Sequence, residues 1–209
     1  MYDIHNHILF GVDDGVETLE ESIEILEDYK RHGIDFVVFT PHVNHPTVKS
    51  DIQKIKQHFQ ILKEECNRIG IRCELGSELY LKPKFQDFIP ILDRFVLVEL
   101  DTLNYPLYLF DQIFELQLEG YDVILAHVER YAWLENNRHV VRKLKEMNVY
   151  FQMNISALDK KNYFIKNDYV DFIATDYHGV KRGKLDWERL KDYKSLIEKG
   201  HRILRLAKV

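Results

Sequence analysis

The chain has 209 residues, of which 45% are hydrophobic and 30% charged, and its formal net charge is −5. This length suits one large domain, and the mild acidity argues against loose binding to a nucleic-acid backbone. No segment reaches the roughly 18 apolar residues of a membrane span, and no apolar run follows a basic start. Two cysteines are too few for a disulfide framework and fit a reducing compartment. We therefore expect a single domain over residues 1–209, located in the cytoplasm.

Short apolar runs alternate with longer polar stretches from one end of the chain to the other. The continuous apolarity of the runs predicts parallel strands that are covered on both faces. A capping box at Thr18 and Glu21 predicts the start of the first helix, and Gly33 predicts its end. Further helices are expected over residues 49–69, 107–120 and 135–147. The predicted strands are residues 2–5, 36–40, 72–76, 95–100, 123–126, 149–153 and 172–175.

Strands that alternate with helices in this way predict a parallel α/β fold. Closure of the sheet into a barrel is the natural way to remove its edges. In a parallel barrel the chemistry lies at the carboxyl ends of the strands, so the residues after each predicted strand are the candidates for a site.

His5 and His7 in "DIHNH" are two residues apart, so their side chains point to the same side of an extended chain. This short pattern has many chance matches, and the other strand ends must decide whether it is a metal clamp. At or just after their ends, six of the seven predicted strands have a histidine or a carboxylate. The exception is the strand over residues 149–153, which is followed by Asn154. The candidate ligands are His5, His7, Asp14, His42, Glu78, Glu99, His127, Asp176 and His178.

This set combines four carboxylates with five imidazoles. Gathered in one pocket, they would repel one another or lose their hydration unless positive charge were present. Arg130 and Arg182 can neutralise part of the charge, but divalent cations do so better, and mixed His/Asp/Glu ligation suits Mn, Fe or Zn. Nine ligands are too many for one ion and suit a cluster of about two to three ions.

The motifs "DIHNHILFGVDDG", "TPH", "GSELY", "AHVERY" and "TDYH" together resemble the PHP phosphoesterase superfamily, named for polymerase and histidinol phosphatase. Within it the chain is most similar to the metal-dependent protein-tyrosine phosphatases of bacterial capsule and exopolysaccharide operons, the CpsB/CapC type. The resemblance implies a distorted, TIM-like (β/α)7 barrel with a trinuclear metal site at the C-terminal ends of the strands. Manganese is the expected metal, with iron or zinc as alternatives.

The family pattern implies a distribution of the ligands over three ions. The implied sets are His5, His7, Glu78 and Asp176 for the first ion, Glu78, Glu99 and His127 for the second, and Asp14, His42 and His178 for the third. Arg130 and Arg182 match arginines that contact the phosphate. Three departures are visible: a valine follows His127 where proline is usual, Val43 stands where a second histidine is common, and the stretch between Asn154 and Asp171 is shortened, which puts the substrate range in doubt.

The resemblance predicts a phosphomonoester hydrolase that acts on phosphotyrosine of a bacterial tyrosine kinase. A hydroxide that bridges the ions is expected to attack phosphorus in line, while the two arginines stabilise the charge of the transition state. Fold and ligands alone leave two alternatives open. One is a PHP phosphoesterase for a small substrate such as histidinol phosphate or a nucleotide, and the other is a metal-binding module without turnover. No nucleic-acid partner is expected, and a homo-oligomer is compatible with the resemblance.

Cys66 and Arg72 in "CNRIGIR" have the C-x5-R spacing of the cysteine-dependent phosphotyrosine phosphatases. That chemistry needs a loop of backbone amides that runs from a strand into a helix and holds the thiolate. Here Cys66 lies at the end of a helical pattern and Arg72 begins a predicted strand, so we reject the cysteine mechanism. Near the candidate ligands, Asp13 is expected to be a turn residue. His45, close to the His42 turn, could line the entrance, but we expect it to be exposed.

Overall fold

The computed structural model describes residues 1–84 and 87–205. Residues 85–86 and 206–209 of the predicted domain lie outside the described residues. The strands are β1 (Tyr2–Asp3), β2 (Phe36–Phe39), β3 (His42–Val43), β4 (Arg72–Leu75), β5 (Glu78–Tyr80), β6 (Phe95–Glu99), β7 (Asp122–Leu125), β8 (Tyr150–Asn154) and β9 (Phe172–Ala174). The α-helices are α1 (Leu19–Arg31), α2 (Ile52–Ile69), α3 (Leu109–Leu118), α4 (Ala132–Glu135), α5 (Arg138–Glu146), α6 (Tyr163–Lys166) and α7 (Lys194–Leu204).

Every neighbouring pair of these strands is parallel. They form two ladders, β1-β2-β4 and β3-β5-β6-β7-β8-β9. The ladders are continuous along the chain, because β3 follows β2 and β5 follows β4 after a short break. At the other side, the Asp176 amide donates to the His5 carbonyl at 2.7 Å and the His7 amide donates to the Tyr177 carbonyl at 2.9 Å. The predicted α/β fold with a parallel sheet is confirmed, and the sheet curls so that its last strand meets its first.

The helix boundaries follow from local capping. The Thr18 side chain accepts from the Glu21 amide and begins α1, as the capping box predicts. Helix α2 begins three residues later than predicted because the Asp51 side chain caps it, and it ends at Gly70, whose φ of 81° is left-handed. The predicted helix over residues 135–147 is instead two helices, α4 and α5, which are separated at Asn136 and Asn137.

The strands carry apolar side chains on both faces. In β2, Phe36 and Val38 belong to one buried cluster, whereas Val37 and Phe39 belong to a larger one that also includes residues of the helices. Burial on both faces is the reason why the strands are continuously apolar in sequence. Among residues 1–84 and 87–205, no helix combines the length and apolarity needed to cross a membrane.

Candidate metal centre

The nine predicted ligands lie at or beyond the carboxyl ends of the strands that were predicted from the sequence. Two of them, His42 and Glu78, begin the short strands β3 and β5, which follow β2 and β4. They form overlapping groups in which each residue offers one nitrogen or oxygen atom within 4.8 Å of the others. The groups are His5, His7 and Asp176; His5, Glu78 and His127; His7, Asp14, His42 and His178; and His42, His45 and Glu99. The structure therefore brings all nine residues into one continuous pocket, and it adds His45.

Glu78 lies at the centre of this pocket and is fully buried. Its Oε1 atom is 3.1 Å from His5 Nε2 and 3.0 Å from His127 Nε2. Its Oε2 atom is 3.3 Å from His7 Nε2 and 3.0 Å from His42 Nδ1. One carboxylate thus faces four imidazoles, two on each oxygen, which is the arrangement that a bridging ligand requires.

Asp176 is a second carboxylate that faces His5 and His7. Its Oδ1 atom is 3.4 Å from the Nε2 atoms of both His5 and His7. Its Oδ2 atom accepts hydrogen bonds from Asn154 Nδ2, at 2.9 Å, and from the Arg130 guanidinium. The aspartate is therefore held from one side and presents its other oxygen to the histidine pair.

Two of the candidate ligands have strained backbones. His127 has a φ of 30° and Asp176 a φ of 50°, both in the left-handed region that side chains rarely adopt. Such strain costs about 1–3 kcal/mol per residue and is found mainly at functional sites. Here it turns the chain at the ends of β7 and β9 so that both side chains enter the pocket.

Asp14, His42 and His178 form the outer part of the pocket. Asp14 Oδ1 is 3.6 Å from His42 Nε2 and 3.8 Å from His178 Nε2. Its other oxygen accepts a hydrogen bond from Arg182 at 2.6 Å. The His178 ring stacks on the His7 ring with centroids 4.0 Å apart, which connects this group to the buried one.

Glu99 closes the pocket from β6. Its Oε1 atom is 3.6 Å from His127 Nε2, and its Oε2 atom is 3.7 Å from His42 Nδ1. The same Oε2 atom is 3.6 Å from His45 Nε2. The His45 side chain is only 16% exposed. The prediction that His45 is exposed was therefore wrong, because the turn after β3 folds its ring back over the pocket.

Several polar atoms of the pocket are buried and have no hydrogen-bond partner among the described residues. They are His5 Nε2, His7 Nε2, His42 Nδ1, Glu78 Oε2 and Glu99 Oε2. An unsatisfied buried polar group costs about 1–3 kcal/mol. Nitrogen and carboxylate oxygen atoms that converge on shared points are the ligands that Mn, Fe and Zn bind. The residues present therefore fit divalent metal ions.

The electrostatics of the pocket agree with this fit. Burial would raise the pKa values of Glu78 and Asp176, but the neighbouring histidines hold both well below the usual carboxylate range. Burial would likewise lower the pKa of His5, but Glu78 and Asp176 raise it to about 9. Burial, reinforced by the charge of Glu78, raises the pKa of Glu99 to about 8. Protons on His5 and on Glu99 thus occupy positions that a cation would take.

Gln152 is a functional residue that the sequence reasoning missed. Its Oε1 atom pairs with His5 Nδ1 at 2.9 Å and accepts from the His127 amide at 2.7 Å. Because an amide oxygen only accepts, His5 keeps a proton on Nδ1, so Nε2 is the atom that can offer a lone pair to a cation in the pocket. The available signal was a glutamine in the middle of the apolar run "VYFQM", where a polar side chain needs a buried partner.

Asp13 forms the predicted turn and also contacts two of the candidate ligands. Its Oδ1 atom accepts from the Gly15 amide at 3.0 Å, which confirms the turn. Its Oδ2 atom lies 2.7 Å from His7 Nδ1 and also accepts from the His42 amide at 3.1 Å. Asp13 therefore orients His7 in the same way that Gln152 orients His5, with Nε2 directed at the pocket.

The two predicted arginines flank the pocket. Arg130 is 45% exposed and pairs with Asp176, and Arg182 is 52% exposed and pairs with Asp14. Each guanidinium therefore joins a candidate ligand to the solvent-facing rim. Their contact with a phosphate stays a prediction.

The cysteine of the rejected motif has no access to solvent. Cys66 lies fully buried in α2, and Arg72 lies in β4 with its guanidinium 4.3 Å from the Phe36 ring centroid. The chain thus runs from helix to strand across this motif, as predicted, and no phosphate-binding loop connects the two residues.

A curled parallel α/β sheet with a histidine and carboxylate pocket at its strand ends defines a class that includes known metal-dependent phosphatases. A solved structure of YwqE from Bacillus subtilis and CpsB from Streptococcus pneumoniae, metal-dependent tyrosine phosphatases, has this fold. It matches 98% of this chain and 92% of that chain with a TM-score of 0.84 and 23% identity. Histidinol phosphate phosphatase from Lactococcus lactis, solved with zinc, L-histidinol and phosphate, matches 95% of this chain and 93% of its own with a TM-score of 0.62 and 17% identity.

The sequence places the chain within this class. Residues 1–199 match the family model for capsular polysaccharide synthesis, CpsB/CapC. Tyrosine-protein phosphatase CpsB of Streptococcus agalactiae is 30% identical in an alignment of 204 residues. The match covers 86% of this chain and 84% of the relative. The protein belongs to the CpsB/CapC family, and the resemblance stated from its motifs is confirmed.

Proposed function

We propose that the protein is a metal-dependent protein-tyrosine phosphatase that acts in the cytoplasm on a bacterial tyrosine kinase of capsule or exopolysaccharide regulation. The observation that carries the proposal is the buried Glu78 carboxylate, which lies 3.0–3.3 Å from nitrogen atoms of four histidines. Such a group is costly unless cations join its members. The named activity of the relatives supports phosphotyrosine as the substrate.

The proposed site keeps the three-ion distribution and a distorted (β/α)7 barrel. In it the first ion is held by His5, His7, Glu78 and Asp176, the second by Glu78, Glu99 and His127, and the third by Asp14, His42 and His178. Bound divalent ions of this kind lower the pKa of coordinated water and polarise phosphoryl oxygens. Manganese is the proposed metal.

The chain itself contributes orientation and positive charge. Gln152 and Asp13 fix the rings of His5 and His7 through their Nδ1 atoms, so that both Nε2 atoms are in place before any ligand arrives. Arg130 and Arg182 offer guanidinium groups at the rim, where they can donate paired hydrogen bonds to phosphate oxygens. A phosphate that takes these donors would carry its ester group outward, because the opposite side of the pocket is closed by buried side chains.

The decisive experiment is a metal count combined with a phosphatase assay. The protein is purified without chelator, its metals are counted by elemental analysis, and hydrolysis of a phosphotyrosyl peptide is measured before and after EDTA, with Mn²⁺ added back. We expect about two to three ions per chain, loss of activity with EDTA and recovery with Mn²⁺. Histidinol phosphate and a nucleoside monophosphate are assayed in parallel, since faster turnover of either would assign the site to small substrates.

Cys66→Ala is the matched variant for the cysteine mechanism. The contact with Cys73 raises the pKa of the buried Cys66 thiol, and burial raises it further, so the thiol is not a nucleophile. The variant should keep full activity. Absence of bound metal together with an inactive Cys66→Ala protein would overturn the proposal, and bound metal without turnover of any phosphoester would point to a non-catalytic module.

A further inference from the structure

His45 is the one histidine of the pocket to which the family pattern gives no role. Its Nε2 atom is 3.6 Å from Glu99 Oε2, and its ring centroid is 4.6 Å from that of His42. On the other side its ring meets the edge of Tyr80 at 5.3 Å. These contacts allow two roles for His45, a metal ligand beside Glu99 or a hydrogen-bond donor to it.

The hydrogen bonds of the ring decide between these roles. The Val48 amide donates to His45 Nδ1 at 3.0 Å and the Thr47 amide donates to it at 3.3 Å. A ring nitrogen that accepts amide hydrogens has no proton of its own, so the neutral ring carries its proton on Nε2. Because Nε2 is the atom that faces Glu99, His45 presents an N–H group to the pocket and not a lone pair.

Three other histidines of the pocket show the opposite arrangement. His5, His7 and His178 have Nδ1 next to oxygen acceptors, namely Gln152 Oε1, Asp13 Oδ2 and the Asp176 carbonyl oxygen, at 2.7–2.9 Å. Each of these rings carries a proton on Nδ1, so that in the neutral ring the lone pair is on Nε2 and is available to a metal ion, as in metal-ligating histidines. His45 therefore presents a hydrogen-bond donor to the pocket, whereas His5, His7 and His178 present nitrogen atoms that can bind a metal ion.

An acceptor for this donor is present. Glu99 Oε2 is buried without a hydrogen-bond partner among the described residues, while Oε1 of the same carboxylate faces His127. We propose that His45 is a positioning residue whose Nε2–H group is donated to Glu99 Oε2, which leaves Glu99 Oε1 for the ion that Glu99 shares with His127. This inference rests on the proposed metal centre and assigns a role to a residue outside its ligand set.

Two substitutions separate this role from a purely structural one. His45→Asn keeps an oxygen that can accept from the Thr47 and Val48 amides, so the turn is retained, but its side chain is too short to donate to Glu99. His45→Gln has an amide donor at the reach of Nε2. His139→Asn is the matched control, because His139 is exposed on α5.

The readouts are metal content, release of Mn²⁺ to a competing chelator, and the visible absorption spectrum of the Co²⁺-loaded protein. We expect His45→Asn to bind as many ions as the wild type with an unchanged Co²⁺ spectrum, but to hold one ion about 10-fold or more weakly, the usual effect of losing a group that orients a ligand. His45→Gln should recover most of this loss, and His139→Asn should match the wild type.

The proposal is overturned in either of two ways. Loss of one ion or a shifted Co²⁺ band in His45→Asn would make His45 a ligand, and unchanged metal retention would show that it does not position Glu99. A wild-type protein that binds no metal fails at the first measurement, which separates failure of the metal centre from failure of the His45 role.

Discussion

The pocket has two halves that are built differently. The inner half consists of His5, His7, Glu78, Glu99, His127 and Asp176, all of them at most 8% exposed. The outer half consists of Asp14, His42 and His178, with Arg182 at its rim. His42 is buried, but the side chains of Asp14 and Arg182 are 36% and 52% exposed. In the inner half His5 and His7 are oriented by buried partners, whereas Asp14 and His178 of the outer half lie on loops. We therefore expect metal in the inner half to be held more tightly and metal in the outer half to exchange first.

Glu78→Gln should have the largest effect, because it removes the carboxylate that four histidines share. An amide has one acceptor oxygen and turns donor hydrogens toward the imidazole nitrogens. We expect loss of inner-half metal and a fall in phosphatase activity of more than ~100-fold, the upper end for groups that only orient ligands. Glu74→Gln, in the adjoining strand β4, makes the same chemical change outside the pocket and should leave both unchanged. Full metal content in Glu78→Gln would refute the bridging role.

Substitution of Arg130 and of Arg182 compares the two halves of the pocket directly. Arg130 pairs with the buried Asp176, so we expect Arg130→Ala to lower kcat/KM by about 10²–10³, as for removal of a preorganised donor. Arg182 is more exposed and pairs with Asp14, so the loss in Arg182→Ala should be smaller, about 10-fold. Lys181→Ala controls for the loop that carries Arg182. A larger loss at Arg182 would mean that the outer half binds the phosphate.

Gln152→Leu tests whether the inner half is preorganised by its neighbours. Removing the shared acceptor of His5 and the His127 amide should weaken metal binding by about 10–100-fold, measured by competition with a chelator. Gln112→Leu, a buried glutamine of α3, is the control for loss of a buried amide. Equal metal affinity in the Gln152 variant and the wild type would show that packing alone orients His5.

The halves should also differ in their dependence on pH. The pKa of His5 is raised to about 9 and that of Glu99 to about 8, so below these values both groups carry protons that a cation must displace. Burial and the nearby His7 lower the pKa of His178 to about 4, so it is already neutral at pH 7. Inner-half affinity should therefore rise as the pH increases from about 7 to 9, with proton release on binding, whereas His178 should contribute no such rise.

Calorimetric titration in buffers of different ionisation enthalpy measures this proton release. Metal affinity that stays constant between about pH 7 and 9 would contradict the assignment of protonated groups to the inner half. Glu78→Gln provides the comparison for the outer half alone.

The ligands of the inner half could be predicted from the sequence, but the residues that orient them mostly could not. His5 and His7 follow an apolar run at a spacing that puts them on one side of an extended chain, and Glu78, His127 and Asp176 follow later runs. Gln152 is 147 residues from the histidine that it orients. Nothing in local periodicity reports a contact across that distance.

The same difference explains the error at His45. Its position in a polar stretch after "TPHV" suggested an exposed residue. The amides of Thr47 and Val48 instead hold its ring with Nε2 toward Glu99, a strand end that lies far along the chain. A polar neighbourhood in sequence does not show which way a turn directs a side chain.

The sequence by itself determined the parallel α/β architecture through strand periodicity, and the family through its motifs. Strand ends together with the family pattern gave the nine candidate ligands. All of these are local properties of the chain. The tertiary structure decided that Glu78 faces four histidines, which ring nitrogen each histidine turns inward, and that His45 belongs to the pocket. These features depend on hydrogen bonds and contacts between separate strands and loops, and such contacts exist only once the sheet has curled and brought its strand ends together.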